Sequence, residues 1–371
     1  MTNQLFTPVT LRGLTLANRV VVPPLCQYSS DNGAATDWHM QHLPSFAMSG
    51  AGLVVFEMTD IEPIGRITPY CAGLWSDAQE AALARVIASC RKYGQAKLGI
   101  QIAHAGRKAS CAEPWKGGKY LPPERGGWQT IAPSAIPFGE GYAAPRAMVA
   151  EDFARVLDGF VTATRRAARL GFDSCEMHGA HGYLLSSFFS PLANRRDDHY
   201  GGSLENRMRF PLEVFRAMRE VWPSDKPLGV RLSCVDWVEG GTTIEDTIVF
   251  AKALKASGCD FICCSSGGIV GSVPPLIRAG YQVEFAERIR RAVGIATRAV
   301  GMIFTGKQAE AIVDEGKADM VAVGRGYIDD PRWAWHAGDE LGVIPPFPPQ
   351  ADRVRSPGWI KHKLDAQRTF R

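Results

Sequence analysis

Residues 228–265 have the sequence LGVRLSCVDWVEGGTTIEDTIVFAKALKASGCDFICCS, and this stretch predicts a strand, a helix and a second strand. Its two apolar ends, Leu228–Ser233 and Phe261–Ser265, lack the alternation of polar and apolar residues that is typical of a half-exposed strand. Parallel strands that are covered on both faces show this continuous apolar pattern. The stretch is therefore predicted to be one strand–helix–strand unit of a parallel sheet.

Capping residues mark the ends of the predicted helices. In the quoted stretch, Thr242 with Glu245 has the spacing of a capping box, and Gly258 suits the position just after the helix. Comparable signals at two other helices are Asp77 with Glu80 and Gly94, and Thr305 with Gln308 and Gly316.

The same alternation of apolar runs and helices extends along the whole chain. The six further runs predicted as strands are Arg19–Pro23, Leu53–Thr59, Lys97–His104, Ser174–His178, Thr297–Gly301 and Met320–Gly324. Eight strand–helix alternations favour an α/β fold of the single (β/α)8 type, the TIM barrel. A doubly wound open sheet is the alternative.

Composition narrows the classes of function. A net charge of +4 over 371 residues is small, so nothing in it calls for nucleic acid or a membrane surface as a partner. No apolar run reaches the roughly 18 residues of a membrane span. The nine cysteines are spread out without a Cys-x-x-Cys pair, which argues against a zinc or iron–sulfur site built from neighbouring thiols. With no secretory signal at the start, reduced thiols in the cytoplasm are expected.

Two segments interrupt the barrel pattern. Residues 106–145 follow the third strand and are rich in Gly, Pro and Trp, which predicts either a lid over the strand ends or a surface elaboration without chemistry. After residue 342 the chain is rich in Pro, and from Arg353 to Arg371 it holds six Lys or Arg residues against one Asp. We expect residues 1–342 to form the catalytic barrel and residues 343–371 an extended C-terminal arm, with a disordered tail as the alternative.

Barrel enzymes carry their active groups at the C-terminal ends of the strands. The residues that this rule places together include Pro23, Pro24, Leu25, Cys26, Tyr28, Met58, Gln101, His178, His181, Tyr183, Arg231, Ser265, Ser266, Gly267, Gly301, Gly324 and Arg325. The last strands end in Gly-rich turns, where backbone amides can approach a phosphate and Arg325 can add charge. The complete Gly-x-Gly-x-x-Gly fingerprint of a dinucleotide domain is absent, so a nicotinamide is expected to bind transiently.

The pair His178 and His181 permits two interpretations. They could be metal ligands, although zinc sites need three or four ligands and no third His lies nearby in sequence. They could instead donate two hydrogen bonds to one oxygen atom of a substrate. Tyr183, two residues further on, could then act as a proton donor.

Several motifs together resemble the Old Yellow Enzyme family of FMN-dependent ene-reductases, in particular its bacterial branch that includes xenobiotic reductase. The matching segments are 5–8, 18–19, 24–28, 65–68, 101–108, 132–135, 178–183, 200–203, 205–207 and 324–325, and the resemblance spans nearly the whole chain.

This resemblance implies a function and a set of roles. The enzyme would use non-covalent FMN, reduced transiently by NADPH or NADH, to reduce double bonds of α,β-unsaturated carbonyl or nitro compounds. Hydride would pass from flavin N5 to the substrate's Cβ, and Tyr183 would protonate Cα. His178 and His181 would hold the substrate oxygen, Tyr28 would contact the substrate, and Cys26 would tune the flavin.

The residues that look like FMN contacts are Pro23, Pro24, Leu25, Cys26, Met58, Gln101, Arg231, Ser265, Ser266, Gly267, Gly301, Gly324 and Arg325. Arg231 is expected near the N1–C2 edge of the flavin, and residues 265–267 beside its phosphate and ribityl side.

Two features depart from the family pattern. Met58 stands where the family commonly has Ala, and Asp60 replaces a small apolar residue, so the pocket should differ in shape. Relatives also send an Arg or Trp from a neighbouring subunit into the active site. Here Arg355 and Trp359 are the candidates, and they imply a homodimer or homotetramer.

Two other classes of function stay open at this point. A flavin-binding barrel without turnover would share the fold and cofactor. A metal-dependent barrel hydrolase would need a third ligand near His178 and His181.

Overall fold

A closed barrel of eight parallel strands forms the centre of the protein. The computed structural model describes residues 3–271 and 277–369. The strands are β1 (Val20–Val22), β2 (Leu53–Asp60), β3 (Lys97–Ala103), β4 (Ser174–Gly179), β5 (Leu228–Ser233), β6 (Phe261–Ser265), β7 (Ala296–Ala299) and β8 (Met320–Ala322). They are adjacent in chain order, and β8 pairs with β1 to close the ring. The predicted (β/α)8 barrel is therefore confirmed.

A helix follows each strand and packs on the outside of the barrel. These helices are α1 (Asp37–Ala47), α2 (Asp77–Tyr93), α3 (Ala150–Arg169), α4 (Leu204–Val221), α5 (Ile244–Ala256), α6 (Val283–Val293), α7 (Gly306–Asp314) and α8 (Trp333–Leu341). Short helical segments lie at Gln4–Phe6, Pro63–Gly65, Leu184–Phe189 and Arg325–Asp329. Among the described residues, no helix has both the length and the apolar character needed to cross a bilayer.

One predicted helix cap is wrong by a single residue. Helix α5 is capped by Thr243, whose side chain accepts a hydrogen bond from the backbone N–H of Asp246. Thr242 belongs to the preceding loop, because its own N–H donates to the carboxylate of Asp236 at 2.8 Å. The predicted boundaries at Asp77 and Gly94 and at Thr305 are confirmed.

The ends of the predicted strands also differ from those observed. Strand β1 ends at Val22, because Pro23 has no N–H to donate to a neighbouring strand. Strand β2 runs on to Asp60, and its pairing with β3 is irregular between Phe56 and Met58. Such a bulge bends a strand and re-aims the side chain that follows it.

A hairpin of Val9–Leu11 and Leu14–Leu16 closes the N-terminal end of the barrel. Its leucines pack against residues inside the barrel, among them Val21 and Phe261. This hairpin excludes water from the N-terminal end of the barrel. The C-terminal ends of the strands therefore form its open mouth.

Residues 106–145 lie beside this mouth. They contain one-turn 3-10 helices at Gly106–Lys108, Pro114–Lys116 and Pro123–Arg125, and Ile131–Ala132 pairs with Arg146–Ala147. Trp115 contacts the ring of Tyr28 with 6.0 Å between centroids, so the predicted lid segment touches a predicted substrate contact.

The C-terminal segment is helical, which differs from the extended arm expected from its proline content. After a 3-10 turn at Pro349–Ala351, helices occupy Asp352–Arg355 and Pro357–Thr369. Arg355 is buried and donates to Asp339 of α8 at 2.9 Å, and Lys363 lies 3.2 Å from the same carboxylate. Helix α8 ends at Leu341, where Gly342 adopts a left-handed conformation with φ +74°, and the proline-rich residues follow. The attraction of these cations to a buried carboxylate then folds the chain back.

Candidate active site

Two adjoining cavities open at the mouth of the barrel. One, called the glycine-side cavity, has a volume of about 380 Å³ and is lined by the ends of β6, β7 and β8. The other, the histidine-side cavity, has a volume of about 270 Å³ and is lined by the ends of β1 to β5. Pro24, Leu25, His181 and Arg231 line both, so the two cavities form one continuous site.

The glycine-side cavity lets a ligand approach the backbone closely. Gly301 has φ +107°, and a Cβ there would lie 2.7 Å from the Gln282 side chain, so this position requires glycine. Gly324 begins the short helix that carries Arg325, whose Nη2 lies 3.0 Å from Met302 Sδ. A glycine turn with an adjacent guanidinium group has the chemistry of a phosphate site.

Arg231 stands between the two cavities. Its Nε is buried and has no hydrogen-bond partner within the described part of the chain. A buried donor without a partner costs free energy unless a ligand satisfies it. The guanidinium group therefore fits an anionic or carbonyl-bearing edge of a bound ring.

His178 and His181 meet in the wall of the histidine-side cavity, with their ring centroids 5.1 Å apart and the rings perpendicular. The backbone N–H of Ala180 donates to His178 Nδ1 at 3.2 Å, which leaves Nε2 to carry the proton of the neutral ring. His181 Nε2 lies 2.7 Å from Ser265 Oγ. Burial, and secondly the charge of Arg231, lowers the pKa of both imidazoles well below the ordinary value. Both are therefore neutral at pH 7 and can each donate one hydrogen bond.

Tyr183 lies beside these two rings, 5.1 Å from His178 between centroids. Burial raises the pKa of its phenol well above the ordinary value, so the hydroxyl group keeps its proton across the neutral range. Burial likewise raises the pKa of Cys26, which is a thiol and not a thiolate.

Lys108, from the start of the lid segment, holds the turn that carries His181. Its Nζ donates to the carbonyl oxygens of His181 at 2.7 Å and Gly268 at 3.1 Å, and lies 4.5 Å and 5.1 Å from the ring centroids of Phe138 and Tyr183. Burial lowers the pKa of Lys108 to about 8. One ammonium group thus ties the lid to the loops after β4 and β6.

The loop that carries Cys26 is fixed by residues that the sequence did not single out. The N–H of Gln27 donates to Glu57 Oε2 at 2.8 Å, and His39 Nε2 lies 3.1 Å from the other carboxylate oxygen. Glu57 sits at the irregularity in β2, so the bulge anchors this loop and turns the buried Met58 into the wall of the histidine-side cavity.

Most of the predicted site residues line these cavities. Residues of the histidine-side wall are Pro24, Leu25, Cys26, Tyr28, Met58, Gln101, His178, His181, Tyr183 and Arg231. Predicted residues of the glycine-side wall include Pro23, Ser265, Ser266, Gly301, Gly324 and Arg325.

Three predicted residues lie elsewhere. Gly267 lies outside both walls, and its N–H donates to the carbonyl of Val235 at 2.8 Å within the turn after β6. Arg355 is buried against α8 of its own chain, and Trp359 lies on the last helix with 54% of its surface exposed.

The cavities also contain residues that the sequence analysis missed, namely Tyr281, Gln282, Met302 and Ile328. Gln282 Oε1 accepts from Ser266 Oγ at 2.6 Å. Tyr281, Gln282 and Met302 come from loops, and Ile328 from the short helix Arg325–Asp329. Met302 and Ile328 follow predicted strand ends within four residues, whereas Tyr281 and Gln282 lie just before α6 and gave no signal.

Within residues 3–271 and 277–369, no group of three or more His, Cys, Asp or Glu side chains is arranged to hold a metal ion. The two histidines thus have no third ligand from the described part of the chain.

Comparison with known proteins identifies the family. Residues 4–342 match the NADH:flavin oxidoreductase / NADH oxidase family. The chain belongs to this family. Two similar curated proteins are the NADPH dehydrogenases of Geobacillus thermodenitrificans and Listeria monocytogenes. They are 43% and 44% identical over 97% and 95% of this chain, and 99% of each relative is covered.

Two solved structures share this fold. Morphinone reductase superimposes with a TM-score of 0.76 at 28% identity, over 97% of this chain and 93% of that one. The old yellow enzyme homologue of Zymomonas mobilis gives 0.76 at 25% identity, over 96% and 98%. Membership of the flavin oxidoreductase family favours the flavin interpretation over the metal-dependent hydrolase.

The cofactor of this family is FMN, and the residues of the two cavities fit it. The glycine turn and Arg325 would hold the phosphate. The unpartnered Arg231 and the amide of Gln101 would meet the polar edge of the ring system. This member of the flavin oxidoreductase family is an FMN-dependent oxidoreductase.

Proposed function

We propose that this enzyme reduces carbon–carbon double bonds conjugated to a carbonyl or nitro group. The observation that carries the proposal is the neutral pair His178 and His181 beside the protonated Tyr183, in one wall of the cavity that Arg231 also lines. Two N–H donors and one O–H that keeps its proton are the groups that polarising and protonating such a substrate requires.

The two histidines bind the substrate oxygen. Because both rings are neutral, each offers one N–H, and the pair draws electron density from the double bond toward the oxygen atom. Tyr28 borders the same cavity and is proposed to contact the substrate. The chemistry that bound FMN supplies is hydride transfer, accepted from NADPH or NADH and passed on to Cβ of the substrate.

Tyr183 delivers the proton. Its hydroxyl gives H⁺ to Cα as the double bond accepts hydride at Cβ, and the phenolate regains a proton from solvent. Cys26 is proposed to tune the flavin as an uncharged thiol. An uncharged group there adds no negative charge that would oppose reduction of the cofactor.

We also propose an oligomeric state and a cellular compartment for the protein. Trp359 is exposed, whereas Arg355 is paired within its own chain. We therefore expect Trp359 to be the tail residue that reaches a neighbouring subunit of a homodimer or homotetramer. All nine cysteines are free thiols, as a cytoplasmic protein would have.

Tyr183→Phe tests the function. Loss of one acid group should slow reoxidation of the reduced enzyme by 2-cyclohexenone by about 100-fold or more, within the range for general acid catalysis. Flavin reduction by NADPH should change little, since it needs no proton from this residue. Stopped-flow absorbance of the flavin measures both half-reactions separately.

Tyr142→Phe is a matched control, because this lid tyrosine lies outside both cavities and should leave both rates unchanged. Equal slowing of both half-reactions by Tyr183→Phe would contradict a role in proton delivery. A wild-type protein that binds FMN and is not reoxidised by any enone, maleimide or nitroalkene would point to a flavin-binding barrel without turnover.

A further inference from the structure

A buried ion pair lies behind Gln101, in the interior of the barrel. Arg298 of β7 donates through Nη1 to Glu176 Oε2 of β4 at 2.9 Å, and the two side chains are 0% and 2% exposed. Arg298 Nε and Nη2 have no partner within the described part of the chain, and its guanidinium carbon lies 4.6 Å from the ring centroid of Phe261.

Such a pair is poor evidence for stability, because the cost of desolvating both charges can exceed their attraction. The neighbouring side chains of the barrel are apolar, and apolar residues at positions 176 and 298 would avoid this desolvation cost. We therefore expect the ion pair to have a role other than stabilising the fold.

The second oxygen of Glu176 determines the direction of Gln101. The two residues lie opposite each other on β3 and β4, and Gln101 Nε2 donates to Glu176 Oε1 at 2.7 Å. A carboxylate is an acceptor only, so it can bind the NH₂ end of the amide and repels the carbonyl end. The amide oxygen of Gln101 is consequently turned away from Glu176, and Gln101 lines the histidine-side cavity.

We propose that Glu176 and Arg298 are positioning residues that fix the polarity of Gln101, so that the cavity presents a hydrogen-bond acceptor. The ring edge of a flavin carries one N–H, at N3, between two carbonyl groups, and only an acceptor matches that position. Arg298 pairs with Oε2 of Glu176, which leaves Oε1 to accept from the Gln101 amide. The proposal rests on FMN binding at this site and is independent of the substrate.

The test compares binding of FMN and 3-methyl-FMN, which has no N–H at N3, to the apoprotein by quenching of flavin fluorescence. For the wild type, 3-methyl-FMN should bind roughly tenfold more weakly, as expected for loss of one hydrogen bond that leaves a buried acceptor unpaired. In the double variant Glu176→Gln with Arg298→Met, the Gln101 amide can turn either way. The ratio of the two dissociation constants should then fall to about twofold.

A matched control removes a different ion pair. Asp152→Asn with Arg146→Met eliminates contacts of 2.6 and 2.7 Å between side chains outside both cavities, and should keep the wild-type ratio. If the double variant at 176 and 298 does not fold, Glu176→Asp replaces it. This variant keeps a carboxylate but shortens the side chain by one methylene group, which should lengthen its 2.7 Å contact with Gln101, so the ratio should also fall.

Three outcomes would overturn the proposal. They are a wild-type ratio near one, an unchanged ratio in whichever Glu176 variant folds, and an equal fall in the Asp152 control. Because the readout is a ratio of binding constants, failure here would leave the proposed ene-reductase activity intact. Failure of that activity would likewise leave this ratio unaffected.

Discussion

At the scale of single residues, burial determines what the two cavity histidines can do. His178 and His181 are neutral because a buried imidazolium beside Arg231 would be desolvated and repelled. A neutral ring with one nitrogen committed to the protein offers one N–H. That arrangement suits binding of an oxygen atom better than binding of a metal, which needs a lone pair on each ring.

His178→Ala with His181→Ala should therefore abolish most enone reduction. Each hydrogen bond that strengthens in the transition state contributes about 1.5–3 kcal/mol, so kcat/KM should fall by roughly 10- to 150-fold per residue. Steady-state kinetics with 2-cyclohexenone measures the loss, and the flavin absorbance of the purified variant should show that FMN is retained. A stoichiometric metal ion that is present in the wild type and absent from the variant would refute the donor role.

At the scale of elements, one lysine couples the lid to the barrel. Lys108 holds the turns after β4 and β6 through two carbonyl groups. Its contacts to Phe138 and Tyr183 join the lid segment to the same point. The lid and the His181 turn should therefore move together.

Lys108→Met should loosen this connection. The long apolar stem is preserved and the donor is lost, so KM for the enone should rise by about 5- to 30-fold, as expected for about 1–2 kcal/mol of lost hydrogen bonding. FMN affinity should change little, because Lys108 does not line either cavity. Lys116→Met is the control, since this lid lysine is 60% exposed, pairs with Glu113 at 2.8 Å and lies outside both cavities. Equal effects of the two changes would argue against a specific role of Lys108.

At the scale of the whole molecule, the C-terminal helices connect the fold to its expected assembly. They are held to α8 by Asp339, and the exposed Trp359 lies on the last helix. An exposed Trp on a docked helix is typical of an interface anchor. Two of the basic side chains near the end of the chain, Arg355 and Lys363, therefore pair with Asp339 of the same subunit.

Deleting the chain after Pro349 should weaken the oligomer and raise KM for the enone while FMN stays bound. Light scattering across a range of protein concentrations measures the first effect, and steady-state kinetics the second. Trp359→Ala should reproduce the rise in KM without releasing the helix from α8. A truncated protein with unchanged mass in solution and unchanged kinetics would show that the tail serves neither purpose.

The sequence was sufficient to predict the barrel and to place most of the candidate site residues at its mouth. All eight strands were predicted, because continuous apolar runs separated by capped helices leave few other folds. Because the C-terminal ends of parallel barrel strands meet at one mouth, the strand positions alone predict that His178, Tyr183 and Arg231 lie close together. The ends of the helices and strands were predicted less exactly than the elements themselves. The cap of α5 is Thr243 and not the predicted Thr242, because two neighbouring threonines offer the same hydroxyl group.

Contacts between residues distant in sequence could not be predicted from local patterns and depend on how the elements pack. Proline in residues 344–349 predicts the end of a helix, but the buried Asp339 then folds the tail back through Arg355. Likewise the amide of Gln101 has two possible directions in the sequence, and only Glu176 and Arg298, from two other strands, select one. Local patterns fix local conformation. The direction of a side chain and the state of its proton depend on burial and on the charges that other elements bring near it.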